Sequence, residues 1–287
     1  MTGAGADAAT YVFAVGRSVD PAVLRGLPGV VPAAPVRPLR CGPLTAVVQH
    51  LPRQEAGEDA WQARLSDPTA LERTARAHHA VVAAVARHTT TVPLALATLY
   101  LGDDRAREAL VRDAERFAAV LRRIEGREEW GVKVYPAATA GPAGPDAAPP
   151  APPTPPDPCA PQAARPGDGR AYLARRRAEH QARASRQHDA QRIADTVDEA
   201  LRVLAAAARR LRPHTARLTG ERTPQVLNAA YLVAKEHEAA FLRSVAALRR
   251  RTGARIDVSG PWVPYSFAAL PGAPSDEAAP DTCGSPA

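Results

Sequence analysis

Cysteine is scarce and unpaired in this sequence, which argues against a disulfide scaffold or a cysteine-based metal site. Cys41, Cys159 and Cys283 lie far apart and form neither a CxxC unit nor the even-numbered spacing of a disulfide framework. No apolar run approaches the roughly 18 residues that a membrane-spanning helix needs. The first residues lack the basic and apolar regions of a signal peptide. Together these features predict a cytoplasmic protein.

Lysine is nearly absent as well, so arginine carries the formal net charge of +7. The only lysines are Lys133 and Lys235. Arginine, alanine and proline are the residues that GC-rich coding favours, and the arginines are mostly mixed with Asp and Glu. A solvated surface is therefore the favoured interpretation, and an anion-binding face stays open as the alternative.

Catalytic and phosphate-binding motifs are missing: the chain has no GxSxG, GxxxxGK[ST], GxGxxG or HExxH pattern. His78 falls on an apolar helix stripe, where a hydrogen-bonded core histidine is commoner than a ligand. Glu236, His237 and Glu238 are consecutive, so on a helix their side chains point about 100° apart and do not converge. We therefore expect no enzyme activity, no catalytic or metal-binding residue and no cofactor.

Proline is abundant, with 29 residues, and it is concentrated where no folded element is expected. The Pro/Ala-rich segment 138–168 predicts a disordered linker, because proline fixes φ and removes a donor. Residues 271–287 have the same composition and predict a disordered tail. The linker divides the chain into a first domain at 10–137 and a second at 169–270.

The first block alternates strand and helix patterns, which predicts a two-layer α+β domain. Strands are predicted at 11–15, 44–48, 92–100 and 130–135. One helix is predicted to begin at Asp67-Pro68, with Asp as the N-cap and Pro in the first turn; a second follows Gly102-Asp103. Their apolar stripes are Leu71, Ala75, His78, Val82, Val85 and Leu110, Ala114, Phe117, Leu121, Ile124, respectively.

The second block predicts one long helix over 170–212, ended by Pro213. Its first half, 175–192, has almost no apolar face, so it either projects into water or lies against a partner. Its basic run lacks the interleaved aromatic residues of a nucleic-acid surface. The apolar pattern over 225–250 fits either a single helix or a strand followed by a helix, and periodicity does not decide between them.

Aromatic residues make up only 5% of the chain, yet three occur within six positions in the segment GPWVPYSF (260–267). Two prolines hold these rings. The rings either anchor a domain core or form a rigid docking surface, since aromatic side chains supply contact area at low entropic cost.

Seven segments in order carry a family resemblance: YVFAVG (11–16), HAVV (79–82), VPL (92–94), EWGVKV (129–134), GRAYLARRR (169–177), LNAAYLV (227–233) and GPWVPYSF (260–267). This ordered set resembles the gas vesicle protein L/F family (GvpL/GvpF). The resemblance implies an α+β fold with a ferredoxin-like N-terminal domain and a C-terminal α+β domain containing a long coiled-coil-like helix, and the Pro-rich linker at 138–168 looks like an insertion into this pattern. It also implies that 226–233 is a strand. One departure is Ala95-Leu96-Ala97-Thr98, where the family usually has an Arg-Phe-Gly-Thr-like sequence, so roles of that Arg or Gly do not carry over.

The resemblance implies a gas vesicle assembly protein without enzymatic activity, found in the cytoplasm and with gas vesicles. Its expected partners are the small hydrophobic shell protein and other gas vesicle accessory proteins, with no small-molecule substrate and no membrane. The predicted protein-binding residues are Tyr172, Arg175, Arg176, Arg177, Trp262, Tyr265 and Phe267. Two alternatives are a minor structural component of the vesicle wall or tip, and an arginine-rich nucleic-acid-binding regulator.

Overall fold

A computed structural model of the protein describes residues 8–31, 34–136, 168–213 and 224–269. Contacts group these residues into two compact units. The first comprises the described residues of Met1–Trp130, Leu232–Lys235 and Gly260–Ala287, and the second those of Gly131–Tyr231 and Glu236–Ser259. The segment that follows Gly260 thus groups with the N-terminal residues. The boundaries expected at 10–137 and 169–270 stay a prediction, and residues 138–167 and 271–287 lie outside the described residues.

The first unit is built around an antiparallel sheet. Its strands are β1 (Ala8–Gly16), β2 (Val36–Cys41), β3 (Leu44–Pro52), β4 (Thr91–Pro93) and β5 (Leu99–Tyr100). The order is β2-β3-β1-β4, and β5 also pairs with β1. The central position of β1 explains its nearly continuous burial, from Ala9 to Val15. Pro93 lies on the edge strand β4, where its missing N–H costs no ladder hydrogen bond.

Helices accompany this sheet and supply the rest of its core. They are α1 (Pro21–Leu24), α2 (Arg53–Ala56), α3 (Glu58–Ser66), α4 (Pro68–Ala86), α5 (Gly102–Arg112) and α6 (Ala114–Ile124). One core cluster joins Tyr11 and Phe13 of β1 to Trp61 of α3 and to Val81 and Val85 of α4.

The start of α4 matches the expectation from the sequence. The Asp67 side chain accepts a hydrogen bond from the Thr69 N–H at 3.1 Å, and Pro68 occupies the first turn. The apolar stripe is shifted at its beginning, because Thr74 is buried and Ala75 is exposed. The second predicted helix is in fact two, α5 and α6, separated at Asp113.

The strand predicted at 92–100 is wrong as a single element. Its two ends pair with different parts of β1: Thr91–Pro93 opposite Ala14–Gly16, and Leu99–Tyr100 opposite Thr10–Tyr11. The residues between them loop out, and Ala97 adopts a positive φ of 65°. Two backbone bonds, Leu94 N–H to the Phe13 carbonyl and Val12 N–H to the Thr98 carbonyl, tie the loop to β1 at 3.0 Å each.

A second, four-stranded sheet has the order β7-β8-β6-β9. Its strands are β6 (Arg127–Tyr135), β7 (Ala207–Arg210), β8 (Leu227–Ala234) and β9 (Arg255–Trp262). The helices of this part of the chain are α7 (Asp168–Arg202) and α8 (Glu238–Thr252). A 3₁₀ turn at Lys235–His237 joins β8 to α8. The strand-then-helix arrangement implied by the family resemblance is therefore observed, and the single helix over 225–250 is excluded.

The helix predicted over 170–212 ends ten residues earlier than expected, at Arg202. The alanine-rich residues beyond it form β7, although alanine favours helix. Tertiary hydrogen bonds account for this, because the Leu211 N–H donates to the Asn228 carbonyl at 2.7 Å and the Asn228 side chain donates to the Arg212 carbonyl at 2.8 Å. The described residues thus have the predicted α+β class, while the ferredoxin-like layout of the first domain stays a prediction.

Candidate functional site

The first group of predicted binding residues lies on an exposed part of α7. Every side chain from Tyr172 to Asp189 is exposed, and burial begins at Ala190. This stretch contains five arginines and only two carboxylates, Glu179 and Asp189. Arg176 forms an ion pair with Glu179 across 3.9 Å. This half of the helix is therefore a solvated, basic surface.

The other half of α7 is anchored through Asp198, a nearly fully buried carboxylate. The Tyr231 hydroxyl donates to its Oδ1 at 2.7 Å, and Arg210 Nε donates to its Oδ2 at 2.7 Å. Arg202 lies 3.1 Å from Oδ1. Burial acts to raise the pKa of Asp198, but hydrogen bonds from Tyr231, Arg210 and Arg202 outweigh it and lower the pKa. These bonds link α7 to β7 and β8 about two helical turns beyond Ala190, where burial begins.

The second group of predicted residues, in the segment 260–268, is partly exposed. Trp262 is 47% exposed and Tyr265 38%, whereas Phe267 is only 7% exposed. Phe267 is thus a core anchor, and its ring is unavailable to a partner. Ser266 fixes the segment by donating its N–H and hydroxyl to the two Glu129 carboxylate oxygens, at 2.8 and 2.6 Å. Arg123 also donates to the Phe267 carbonyl.

His79 of α4 contacts both exposed rings of this segment. Its ring centroid lies 6.0 Å from that of Trp262 and 6.0 Å from that of Tyr265. The Tyr265 hydroxyl lies 3.5 Å from His79 Nδ1, and burial raises the pKa of Tyr265 to about 12. Tyr265 therefore stays neutral at physiological pH, and these three rings form one aromatic surface within the first unit.

A cleft of about 590 Å³ opens beside this aromatic surface, and all of its lining residues belong to the first unit. One wall is the last turn of α4 with the loop that follows it, residues 83–91. The other walls are the end of α6 with residues 126–128, Lys235, and the Pro261–Pro264 segment. The positive charges in the lining are Arg87, Arg127 and Lys235, against the single carboxylate of Glu128.

The other histidine singled out by the sequence, His78, is a core residue. Its Nδ1 lies 2.8 Å from the Tyr11 hydroxyl, and it packs against Phe13. Burial lowers the pKa of His78 to about 4, so the ring is neutral at physiological pH. Across the described part of the chain, no three His, Cys, Asp or Glu side chains gather as metal ligands. In the same part, no helix is long and apolar enough to cross a membrane.

The cleft is the feature that the sequence did not indicate. Its residues come from four separate segments between His79 and Pro264. Of these, the sequence marked only the aromatic segment around Trp262 as a binding candidate, without indicating which residues lie opposite it. Lys235 was notable only as one of two lysines. No periodicity could have brought it next to Glu128, 107 positions earlier, with 3.5 Å between Nζ and Oε1.

Two comparisons with known proteins bear on identity. The family model described as gas vesicle synthesis protein GvpL/GvpF matches residues 9–269. A relative from Streptomyces sp. (strain CB03234), described as gas vesicle protein L, is 39% identical over 268 residues, which cover 92% of this chain and 94% of the relative.

The fold is also that of two solved proteins. The crystal structure of the gas vesicle protein GvpF from Anabaena sp. PCC7120 superimposes with a TM-score of 0.63 at 15% identity, covering 92% of this chain and 97% of that one. GvpF from Microcystis aeruginosa gives a TM-score of 0.58 at 16% identity, covering 91% and 99%. At identities this low, the similarity supports a shared fold and nothing further.

Proposed function

This chain belongs to the GvpL/GvpF family of gas vesicle synthesis proteins, and from that membership we propose that it is a non-catalytic assembly factor. In this proposal it binds the small hydrophobic shell protein, and other gas vesicle proteins, while a vesicle forms. It acts by covering a surface of its partner and releasing it, and no bond is made or broken.

The physical need for such a factor follows from the vesicle wall. A wall that holds gas must be apolar on its inner face, so a free shell subunit exposes apolar surface and tends to aggregate in water. A helper that covers this surface reversibly needs complementary apolar and polar patches. It needs no reactive group.

The observation that supports this proposal best is the exposed half of α7. Every side chain of this stretch is exposed, and bridging between folded bodies across solvent is one role of a helix that is polar all round. The buried half of α7 holds the helix in place, because Asp198 there bonds to Tyr231 of β8. The excess of arginine favours a partner surface that carries carboxylates.

Co-purification from vesicle-forming cells tests the proposal. A tagged wild-type protein should retrieve the shell protein. The variant R175E/R176E/R177E should retrieve at least tenfold less, because three exposed charges at an interface are each worth roughly 0.5–1 kcal/mol and their reversal adds repulsion.

The matched control is R25E/R73E/R243E, which makes the same change in net charge at exposed arginines elsewhere. It should retain most of the shell protein. A wild-type protein that retrieves no gas vesicle protein while vesicles form would contradict the proposal. Equal losses in both variants would show that net charge, rather than α7, is responsible.

A further inference from the structure

The cleft beside Trp262 has a lining that suits a ligand with negative charges and some apolar surface. Arg87 is exposed in the lining and forms no ion pair within the described residues. Arg127 Nη1 donates to the Arg123 carbonyl at 2.7 Å, so part of its charge compensates the end of α6. Lys235 is only loosely paired with Glu128, at 3.5 Å. Positive charge thus exceeds negative charge in the cleft.

Helix direction separates a peptide from a phosphate compound as the ligand. Phosphates bind at helix N-termini, where backbone N–H groups point outward. This cleft is instead lined by the last turn of α4 and by Ile124, the last residue of α6. Last turns end in backbone carbonyls rather than free N–H groups. The carbonyls of Ala83, Val85 and Arg123 already accept hydrogen bonds from residues 87–89 and 127, so these helix ends offer no cradle of N–H groups to a phosphate.

An extended peptide matches the charged and the apolar parts of the lining. Its alternate side chains point to the same side, about 6.6 Å apart. Glutamate or aspartate at alternate positions would meet Arg87 and Lys235. The exposed ring of Trp262, with Pro261, Val263 and Pro264, supplies a rigid apolar wall.

We propose that this cleft binds an extended, acidic peptide segment of a partner protein, with Arg87 and Lys235 binding carboxylates and Trp262 packing on the peptide. The inference deepens the assembly function and rests on it for the source of the peptide, which is a gas vesicle protein. The cleft is then a second binding site, separate in sequence from the exposed half of α7.

Intrinsic fluorescence of the full-length protein tests this directly. Of its three tryptophans, Trp61 and Trp130 are buried and Trp262 is 47% exposed, so iodide quenching reports mainly on Trp262. The probe is the capped peptide acetyl-(Glu-Ala)₄-amide, with acetyl-(Gln-Ala)₄-amide as its neutral match. The acidic peptide should reduce quenching by at least twofold at saturation, and the neutral peptide should not.

Charge variants give the direction of the effect. R87E should weaken binding of the acidic peptide at least tenfold, while E128Q, which frees Lys235, should strengthen it about threefold. R73E, on an exposed face of α4 outside the cleft, should leave it unchanged. Far-UV circular dichroism of each variant checks that the fold is retained.

Several results would overturn the proposal: no protection of Trp262 by the acidic peptide, equal protection by the neutral peptide, or equal effects of R87E and R73E. Competition by inorganic phosphate or ATP at concentrations below that of the peptide would also overturn it, by making the cleft a phosphate site. Failure of the assembly function has a different signature, since the wild-type protein would then retrieve no gas vesicle protein whatever the peptide does.

Discussion

Replacing Asp198 by asparagine tests whether a single buried carboxylate anchors the C-terminal half of α7 to β7 and β8. The side chain is 3% exposed and accepts bonds from Tyr231 and Arg210 at 2.7 Å each. Asparagine keeps the shape and one acceptor oxygen. It removes the charge and turns an N–H₂ group toward a guanidinium group that is itself a donor.

The cost can be estimated from these contacts. A buried hydrogen bond to a charged group is worth about 1.5–3 kcal/mol, and a neutral one about 1 kcal/mol, so the Tyr231 bond loses about 1 kcal/mol. The Arg210 contact loses about another 1 kcal/mol, a discounted figure because the Arg210 side chain is 46% exposed and remains partly solvated. We therefore expect Asp198→Asn to lower the free energy of unfolding by about 2 kcal/mol.

The same network predicts a pH dependence. The pKa of Asp198 is lower in the folded protein than in the unfolded chain, so the network's contribution is full above the unfolded value of about 3.9. It is lost as pH falls through the folded value. The difference between wild type and Asp198→Asn should therefore be largest near neutral pH and shrink below pH 4.

Urea unfolding followed by circular dichroism measures the change, and hydrogen-exchange mass spectrometry locates it in α7, β7 and β8. Asp195→Asn is the matched control, because Asp195 bonds to the same arginine at 2.7 Å but is 43% exposed. It should cost less than about 1 kcal/mol. Equal costs for the two variants, or increased exchange confined to other segments, would refute the anchoring role.

Two further predictions concern the first unit. Burial alone would raise the pKa of Asp103, but hydrogen bonds from Arg37, Thr10 and His50 outweigh it and hold the pKa at about 2. Asp103→Asn should therefore lower the free energy of unfolding by about 2 kcal/mol at pH 7, and this difference should be lost as pH falls toward 2. Asp104→Asn changes an exposed side chain and should cost little. Equal acid-unfolding curves for the two variants, followed by fluorescence, would contradict this prediction. Ala97 has a positive φ of 65°, which glycine adopts without strain and a β-branched residue does not. Ala97→Gly should therefore match or exceed wild-type stability, while Ala97→Val should lower the free energy of unfolding by about 2 kcal/mol. Equal melting temperatures for the Val variant and the wild type would show that the loop is not strained.

Local patterns were enough to predict several elements of this fold. The β-rich run of β1, the Asp67 cap of α4 and the alternation around Trp130 each depend on neighbours within a few residues. The same is true of the exposed half of α7, whose lack of an apolar stripe is visible in the sequence. Membership of the family was also predicted, from GPWVPYSF and the other segments taken in order, and the family model matches residues 9–269.

Other features depend on contacts that local patterns do not contain. The run 92–100 has strand composition throughout, yet pairing of its two ends with β1 forces the loop that contains Ala97. The alanines after Arg202 favour helix, but pairing with β8 makes them a strand. Phe267 could have been exposed or buried, and only the packed structure places it in the core.

Flotation of cells provides the most direct test of the claim that this protein assembles vesicles by binding. The gene is deleted in a strain with no paralogue to replace it, and the loss of turbidity when vesicles are collapsed by pressure measures vesicle content. The wild-type gene should restore vesicles, and the R175E/R176E/R177E variant, folded and expressed at the same level, should not. Normal vesicle content in the deletion strain, or full restoration by that variant, would contradict the account.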